Sequence, residues 1–273
     1  MATDIPALAR ELAAAYAAGT PIATPPSARD ASFDLDAAYA VEAEIVRLRR
    51  AAGRATAGVK VGFANKAMWR ILKLDTLVWA HMYDDTVHRS SGGAATLSLA
   101  GRVSPRIEPE IVLRLKAPVA PGAADAAAIL EAVEWLAIGF EINDCLFPDW
   151  GFQPVDFVAA LGFHTALVVG EPVPVTPDAV GPLAAALSSF TLQLSKNGAL
   201  VEEGSGRNSL KSPALCLGEL TAAMARRGAA PLAAGDLVST GTLTAPHPAS
   251  AGAVWDARVS GLSVPSLSLE MRQ

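Results

Sequence analysis

Two glutamates stand two positions apart in the apolar stretch RIEPEIVLRL, residues 106–115. In an extended chain, residues i and i+2 lie on the same side of the strand, so Glu108 and Glu110 would share one face. Like charges placed in this way repel one another unless a positive charge lies nearby. A third acid, Glu141, occurs in another apolar segment, IGFEIND. We assign only Arg114 to the face of the first two glutamates, and one arginine cannot neutralise three carboxylates.

Two interpretations of these acids are open at this point. The glutamates could be solvated residues on the outer face of an edge strand. Alternatively, they could bind a cation together, with Asp144 just beyond Glu141 as a further acid. The chain has no CxxC pair and no paired histidines, so such a site would favour a hard, oxygen-preferring ion such as Mg²⁺ or Mn²⁺.

A lysine between two glycines is the second candidate for chemistry. Lys60 lies in the segment AGVKVGFAN, with Gly58 before it and Gly62 after it. Glycine weakens the interior of a strand and often marks the close approach of a ligand or another backbone. An exposed lysine on a strand between two turns is an equally good interpretation.

Two further segments combine polar residues with turn signals. In HMYDDTVH, Asp84 and Asp85 are flanked by His81 and His88, and a polar turn is the favoured interpretation. In LVSTGTLTAPHP, small hydroxyl residues and Gly241 follow a predicted strand. Such a loop can offer backbone N–H and hydroxyl donors to a carboxylate, although an ordinary turn has the same composition.

The composition limits the classes of protein to consider. The chain has 273 residues, of which 51% are hydrophobic and 18% charged, and its net charge is −5. This balance argues against a nucleic acid or an anionic membrane as partner. No segment approaches the roughly 20 apolar residues that span a bilayer, and the N-terminus does not resemble a signal peptide. Two cysteines are too few for a disulfide framework, so we expect a soluble, cytoplasmic protein.

The pattern of apolar residues predicts an α+β, β-dominated domain behind an N-terminal helical segment. Asn197-Gly198 is a strong signal for a hairpin turn, and the Pro-, Ser- and Thr-rich residues 19–32 predict a loop. The predicted helices cover residues 5–18, 36–52, 123–137 and a segment from Ser212 that ends at Gly228. We place the domain boundary between residues 1–55 and 56–273.

Taken in order, these segments resemble a known family. The chain is similar to the 2-keto-4-pentenoate hydratase and 4-oxalocrotonate decarboxylase branch of the fumarylacetoacetate hydrolase superfamily, from about residue 30 to the C-terminus. The similarity rests on an ordered set of motifs, namely GVKVG, YDD, PRIEPEI, FEIND, the KNG hairpin and GDLVSTGTLTAP. It implies a mixed β-sandwich roll with peripheral helices, a catalytic domain over residues 56–273, and a homo-oligomer.

The resemblance also implies roles for individual residues. It makes Glu108, Glu110 and Glu141 the ligands of Mg²⁺ or Mn²⁺, Lys60 the active-site lysine and Asp84 its acidic partner. On the same basis we expect the substrate to lie near Phe163 and near a loop formed by Thr240, Gly241 and Thr242.

The chain departs from the family pattern at one position. Relatives carry an Asn-Ser-Ser type segment after the third glutamate, whereas this chain reads AALGFHTALVVG, with Phe163 and His164 and no serine. His164 could be a core histidine, or it could replace the serine as hydrogen-bond donor or proton carrier. The aromatic segment from Trp150 to Phe163 contains no Lys or Arg, so we expect a substrate with an uncharged far end.

The implied activity is that of a metal-dependent lyase acting on a small 2-oxo or 2-hydroxy acid. We rank addition of water to a 2-hydroxy-2,4-dienoate first and decarboxylation of a 4-oxalocrotonate-like dicarboxylate second. Hydrolysis of an acylpyruvate is a further alternative, although the chain has no His-x-x-Glu motif of the kind such relatives use. A non-catalytic metal or metabolite binder is the alternative from a different class.

Overall fold

Two β-sheets and eight α-helices make up residues 3–273, the part of the chain that the computed structural model describes. The helices are α1 (Ile5–Ala18), α2 (Pro26–Arg29), α3 (Leu35–Ala51), α4 (Lys66–Leu72), α5 (Ala126–Leu130), α6 (Pro154–Ala159), α7 (Val180–Leu187) and α8 (Pro213–Arg226). The first seven strands are β1 (Thr56–Gly62), β2 (Val78–Tyr83), β3 (Val87–Arg89), β4 (Ala94–Ser98), β5 (Pro105–Leu115), β6 (Val133–Asp144) and β7 (His164–Val169). The others are β8 (Val173–Pro174), β9 (Thr191–Lys196), β10 (Ala199–Ser205), β11 (Leu237–Thr242), β12 (His247–Pro248), β13 (Val254–Ser260) and β14 (Leu267–Arg272).

The larger sheet has nine strands and a mixed topology. Its main path runs in the order β2-β1-β11-β5-β6-β7-β3, with β12 paired to β5 and β8 paired to β6. The smaller sheet has the order β10-β9-β13-β14-β4. Side chains of both sheets meet in one hydrophobic core, to which β5 contributes Ile111 and the smaller sheet contributes Trp255 and Leu269. This is the α+β, β-dominated architecture that the sequence predicts.

Strand β5 lies in the middle of the larger sheet, between β11 and β6. Its apolar residues Ile107, Ile111 and Leu113 are fully buried in the core on one face. Because side chains alternate along a strand, the two glutamates face the other way. The interpretation of this segment as a solvated edge strand is therefore wrong.

Most of the predicted helices and the hairpin are confirmed. Helices α1, α3 and α8 match the predicted segments to within two residues at either end. Gly19 ends α1 in the left-handed conformation, with φ 59°. Strands β9 and β10 are joined through Asn197 and Gly198, and the predicted loop 19–32 contains the four-residue α2.

The helix predicted over residues 123–137 is wrong beyond Leu130. The chain forms only the short α5 there and then enters β6, which pairs with β5 along nearly its whole length. Because β6 is central, both of its faces are buried and its sequence is almost continuously apolar. Such a run does not differ in periodicity from a buried helix.

The N-terminal helices support the segment that follows β6. Residues of α1 and α3 pack in one hydrophobic cluster with residues of β2 and α6. The buried carboxylate of Asp156 accepts hydrogen bonds from the backbone N and Oγ of Ser27, at 2.7 and 2.6 Å. The Tyr16 hydroxyl donates to the carbonyl of Ala160 at 3.0 Å. The division at residue 55 stays a prediction, although the first strand does begin at Thr56.

No helix within residues 3–273 combines the length and the apolar character that crossing a membrane requires.

Candidate active site

Three glutamates converge on the inner strands of the larger sheet. Glu108 and Glu141 are direct partners in the antiparallel pairing of β5 with β6, and Glu110 follows two residues along β5. One carboxylate oxygen of each lies within 4.8 Å of the others, a spacing that could hold a metal ion. Glu110 and Glu141 are fully buried, while Glu108 is partly exposed.

An irregularity in strand β11 fixes the carboxylate of Glu110. The register between β11 and β5 shifts between Ser239 and Thr242, which turns the chain toward the glutamate. Ser239 Oγ and the backbone N of Gly241 both donate to Glu110 Oε2, at 2.5 and 2.8 Å. Gly241 has φ +91°, and a Cβ atom there would lie 2.5 Å from the Cβ of Ala64. Only glycine suits this position without strain.

Two basic side chains hold the carboxylate of Glu141. Lys60 Nζ lies 3.1 Å from Oε2, and His164 Nδ1 lies 2.9 Å from Oε1. Lys60 also donates to the carbonyl of Gly162 at 3.0 Å, and its side chain is almost completely buried. Gly62, two residues further on, lies where a Cβ would contact the ring of Phe157 at 2.4 Å. The glycines around Lys60 thus do mark close approach.

Asn143 links the lysine to two of the glutamates. Its Oδ1 accepts a hydrogen bond from Lys60 Nζ at 3.1 Å. Its Nδ2 donates to Glu108 Oε2 at 2.9 Å and to Glu141 Oε2 at 3.3 Å. The amide therefore orients both carboxylates and the ammonium group at once.

Burial and mutual repulsion give the three acids different pKa values. Burial, together with the charge of Glu141, raises the pKa of Glu108 to about 7 and that of Glu110 well above its usual range. Burial alone would also raise the pKa of Glu141, but Lys60 and His164 outweigh it and lower that pKa. Burial acts in the opposite direction on a base: it lowers the pKa of His164, which favours the neutral imidazole.

The donor set fits a hard divalent cation. With all three carboxylates ionised, Lys60 compensates one of three negative charges, which leaves a local charge of −2. Glu110 Oε1 is buried and has no hydrogen-bond partner among the described residues. An unsatisfied buried oxygen is costly unless an ion or water binds it. Carboxylate oxygens are the ligands that Mg²⁺ and Mn²⁺ prefer.

A cavity of about 650 Å³ opens beside these acids. Lys60 and Glu108 line its inner end, and four aromatic rings form one wall. Phe163 is the centre of this wall, with ring centroids of Phe152, Phe157 and Trp150 at 4.7, 5.1 and 5.7 Å. The cavity therefore pairs a charged end with an apolar side, as small-molecule sites commonly do.

Five of the ten residues that the sequence assigns to the site line this cavity. Phe163, Gly241 and Thr242 line it together with Lys60 and Glu108. Thr240 does not line it, because its Oγ1 donates to the carbonyl of Ile111 at 2.8 Å within the sheet. The loop does donate hydrogen bonds to a carboxylate, as expected, but the carboxylate belongs to the protein: Ser239 and Gly241 both donate to Glu110.

Three other residues named from the sequence do not line the cavity. His164 lies behind Glu141, and its Nε2 contacts Thr86 Oγ1 at 2.9 Å. Asp84 lies on the exposed turn between β2 and β3 and does not line the cavity. Asp144 accepts hydrogen bonds from the backbone N–H groups of Val103 and Ser104, so it holds a loop and does not join the acids.

The assignment of Arg114 as the only cation near the glutamates is wrong. Arg114 pairs with Glu134 at 3.2 Å and is more than a third exposed. Lys60 is the cation among the acids, and Arg106, on the same strand, lines the cavity. The two-residue spacing of Arg106 from Glu108 could have indicated this. Asn143 follows Glu141 at the same spacing, which could likewise have indicated that its side chain lies beside the glutamates.

Comparisons with known proteins identify the family of this chain. The sequence profile of the fumarylacetoacetate (FAA) hydrolase C-terminal family matches residues 79–264. A 2-hydroxyhexa-2,4-dienoate hydratase of Comamonas testosteroni is 29% identical over 230 residues, covering 84% of each chain. A 2-keto-4-pentenoate hydratase of Dechloromonas aromatica is 30% identical over 257 residues, covering 94% of each chain.

A solved structure shares the fold. The 4-oxalocrotonate decarboxylase of Pseudomonas putida G7, complexed with magnesium and adipate, superposes with a TM-score of 0.88 at 24% identity, covering 99% of each chain. The profile match and the hydratase relatives place this chain in the fumarylacetoacetate hydrolase family.

Proposed function

We propose that this protein is a metal-dependent lyase that adds water to a 2-hydroxy-2,4-dienoate, the enol form of a 2-keto-4-enoate. One observation carries the proposal: three glutamates converge beside a buried lysine, and Glu108 and Lys60 of this group line a cavity with an aromatic wall. The names of the hydratase relatives support the choice of substrate class.

The acids Glu108, Glu110 and Glu141 would hold Mg²⁺ or Mn²⁺. When bound there, the ion would supply Lewis-acid chemistry, polarising the C2 oxygen of a substrate that offers a carboxylate and that oxygen as ligands. The structural neighbour was solved in complex with magnesium, so a protein of this fold can bind such an ion.

Lys60 is the residue best placed to move a proton in the cavity. Its Nζ lies between Glu141 and Asn143 and 4.7 Å from the Phe157 ring, and the residue lines the cavity. A lysine in this position can exchange a proton with a substrate carbon and can offset negative charge that develops on the C2 oxygen. Asn143 holds the ammonium group in place for this role.

The aromatic wall would bind the flat, apolar diene. Phe157 and Phe163 are buried and contact one another edge to face, so their positions are fixed by packing. Their contact with the carbon chain would restrict water to the side of the substrate that remains open. His164 and Thr86 would act from behind, by holding Glu141 in its orientation.

Decarboxylation of a 2-oxo dicarboxylate is the second candidate reaction. It is favoured by Arg106, which lines the cavity and supplies a cation that the aromatic segment lacks. The absence of Lys and Arg from residues 150–163 argued against a second carboxylate on the substrate, and Arg106 weakens that argument. Hydration remains first because the relatives at 28–30% identity are named as hydratases.

Product analysis distinguishes these activities. Purified protein with Mg²⁺ would be given two dienoates, one with a methyl group and one with a carboxylate at the far end. We expect the hydroxy-keto acid, one water heavier than the substrate, without release of CO₂. Release of CO₂ from the dicarboxylate as the main reaction would favour the decarboxylase, and no turnover of either would favour a binding protein.

We also propose that the chain forms a homo-oligomer in the cytoplasm. The edge strand β10 exposes Leu200 and Val201, and an exposed apolar edge is a surface that another chain can cover. The free, buried thiols of Cys145 and Cys216 suit a reducing compartment. Light scattering of the purified protein would test the assembly, and a monomer at micromolar concentration would contradict it.

A further inference from the structure

Glu202 and His247 form a polar pair at the cavity that the proposed function leaves unused. Glu202 lies on β10 and lines the cavity, and His247 lies on β12. The Nε2 atom of His247 lies 2.6 Å from Oε2 of Glu202, although the two residues are 45 positions apart in the chain. The fold, and not a local motif, therefore brings a carboxylate and an imidazole together beside the cavity.

The carboxylate of Glu202 has a fixed orientation. The backbone N–H of Ala245 donates to both of its oxygens at 3.2 Å. His247 is held in turn by the buried ring of Trp255, with ring centroids 5.8 Å apart. A carboxylate offers about four sites for hydrogen-bond donors, so these contacts leave sites free. The side chain of Glu202 is 33% exposed, which allows a further donor to reach it.

Glu202 approaches the cavity from a different part of the fold than the residues at the inner end. Lys60 and Glu108 belong to the larger sheet, whereas Glu202 belongs to the smaller one. Among residues 3–273, no lysine or arginine forms an ion pair with Glu202 at 4.0 Å or less. Arg106 also lines the cavity, but its guanidinium carbon lies against the Trp150 ring, 4.1 Å from the centroid. The oxygens of Glu202 are thus available to accept a proton in the cavity.

We propose that Glu202 is the base that activates water for the addition, with His247 as a positioning residue. This inference rests on the proposed function, in which the carboxylate and the C2 oxygen of the substrate lie at the three glutamates. The carbon that receives water, C4, then lies further along the chain, away from those acids. A base for this step must line the cavity, hold an acceptor in a fixed direction and exchange protons with solvent. Glu202 has each of these properties.

The proposed step balances in atoms and charge. The dienol first becomes the keto form, in which its hydroxyl loses a proton and C5 gains one. Glu202 then takes a proton from water while the water oxygen bonds to C4, and the C3–C4 π electrons move toward C2 to give an enolate. A proton from Lys60 to C3 restores the ketone. Glu202 then releases its proton to solvent, and Lys60 regains one.

The test follows the two half-reactions separately in Glu202→Gln, with Glu203→Gln as the matched control. Glu203 is the next residue on β10, is exposed and does not line the cavity. Mg²⁺-loaded protein would be given the methyl-tailed dienoate in D₂O, and NMR would follow deuterium at C5 and formation of the hydroxy-keto acid. We expect Glu202→Gln to lower the rate of hydration by roughly 10²- to 10⁴-fold. Uptake of deuterium at C5, above that in protein-free buffer, should stay near the wild-type rate, and Glu203→Gln should change neither rate.

His247→Phe is the second variant, because it keeps a ring against Trp255 and removes the contact with Glu202. We expect it to slow hydration by about 10-fold, as loss of a supporting partner does, without slowing deuterium uptake. Equal losses of both rates in Glu202→Gln would show a structural role and overturn the assignment. Wild-type hydration by Glu202→Gln would overturn it as well, while leaving the proposed function intact. A wild-type protein that takes up deuterium but forms no hydroxy-keto acid would overturn the proposed function, and the assignment with it.

Discussion

Glu141 carries more of the site's polar contacts than either of the other two acids. Lys60 and His164 each contact one of its oxygens, and Asn143 donates to the same oxygen as the lysine. These contacts lower its pKa despite burial, so it is ionised while its two neighbours still hold protons. Glu141 therefore provides the fixed negative charge of the site.

The structure changes the expectation for His164. From the sequence, His164 could be a core histidine, or it could replace the serine of the relatives as hydrogen-bond donor or proton carrier. Because it lies behind Glu141 and does not line the cavity, we now expect His164→Ser to weaken metal affinity by about 10- to 100-fold, as loss of a ligand's supporting partner does. Substrate preference should change little.

Calorimetric titration of His164→Ser with Mn²⁺ would check this expectation. His88→Ser is the matched control, because His88 is exposed and does not line the cavity. An unchanged metal Kd together with altered substrate preference would contradict the supporting role of His164 behind Glu141.

Lys60 offers a second test at the scale of one residue. Replacing it with methionine keeps the length of the side chain but removes the charge and the exchangeable proton. We expect kcat to fall by the roughly 10²- to 10⁴-fold typical of a lost acid–base group, with near-normal metal content. Lys66→Met, at an exposed position on α4, is the control. Wild-type turnover in Lys60→Met would leave the lysine with a structural role only.

At the scale of elements, the site depends on strand neighbours that the sequence does not specify. The two-residue spacing on β5 correctly placed Glu108 and Glu110 on one face, and the alternation of polar and apolar residues follows from a strand alone. Ser239 and Gly241 support Glu110 only because β11 pairs with β5. More than a hundred residues of chain separate the two strands. Local patterns carry no information on such pairing, and the helix wrongly extended into β6 has the same origin.

The pairing of β5 with β6 predicts an unusual pH dependence of stability. In chelator-treated protein, Glu108 and Glu110 have pKa values raised by burial, to about 7 for Glu108, from an ordinary value of 4.5. Between these pH values the folded state holds protons that the unfolded state has released. The contribution of these two carboxyls to stability should therefore fall as pH rises through this window. The lowered pKa of Glu141 acts only below its ordinary value of 4.5, outside the window.

Thermal unfolding in the presence of chelator would measure this effect. The reference is the double variant Glu108→Gln and Glu110→Gln, which cannot titrate at these positions. We expect the Tm of wild type to fall relative to the variant as pH rises toward neutrality, and Mg²⁺ to restore it in wild type alone. A constant Tm difference across the window would contradict the pKa shifts.

At the scale of the whole molecule, the cavity draws on widely separated parts of the chain. The larger sheet supplies Glu108 and Lys60, the segment after β6 supplies the aromatic wall, and β10 of the smaller sheet supplies Glu202. The N-terminal helices hold the aromatic segment through Ser27 and Tyr16. Ordered motifs and a family resemblance could indicate most of these parts. They could not indicate Arg106 on the aromatic wall, because that contact exists only in the folded chain.

Metal-dependent hydration of a dienoate is the central claim, and one measurement tests it most directly. Protein stripped with chelator would be assayed on 2-hydroxy-2,4-pentadienoate, then reloaded with Mg²⁺ or Mn²⁺ and assayed again, with the bound metal counted and the product identified by mass. We predict no turnover in the stripped protein and recovery of activity with the metal, giving a product one water heavier than the substrate. Full activity in protein shown to contain no metal would contradict the account.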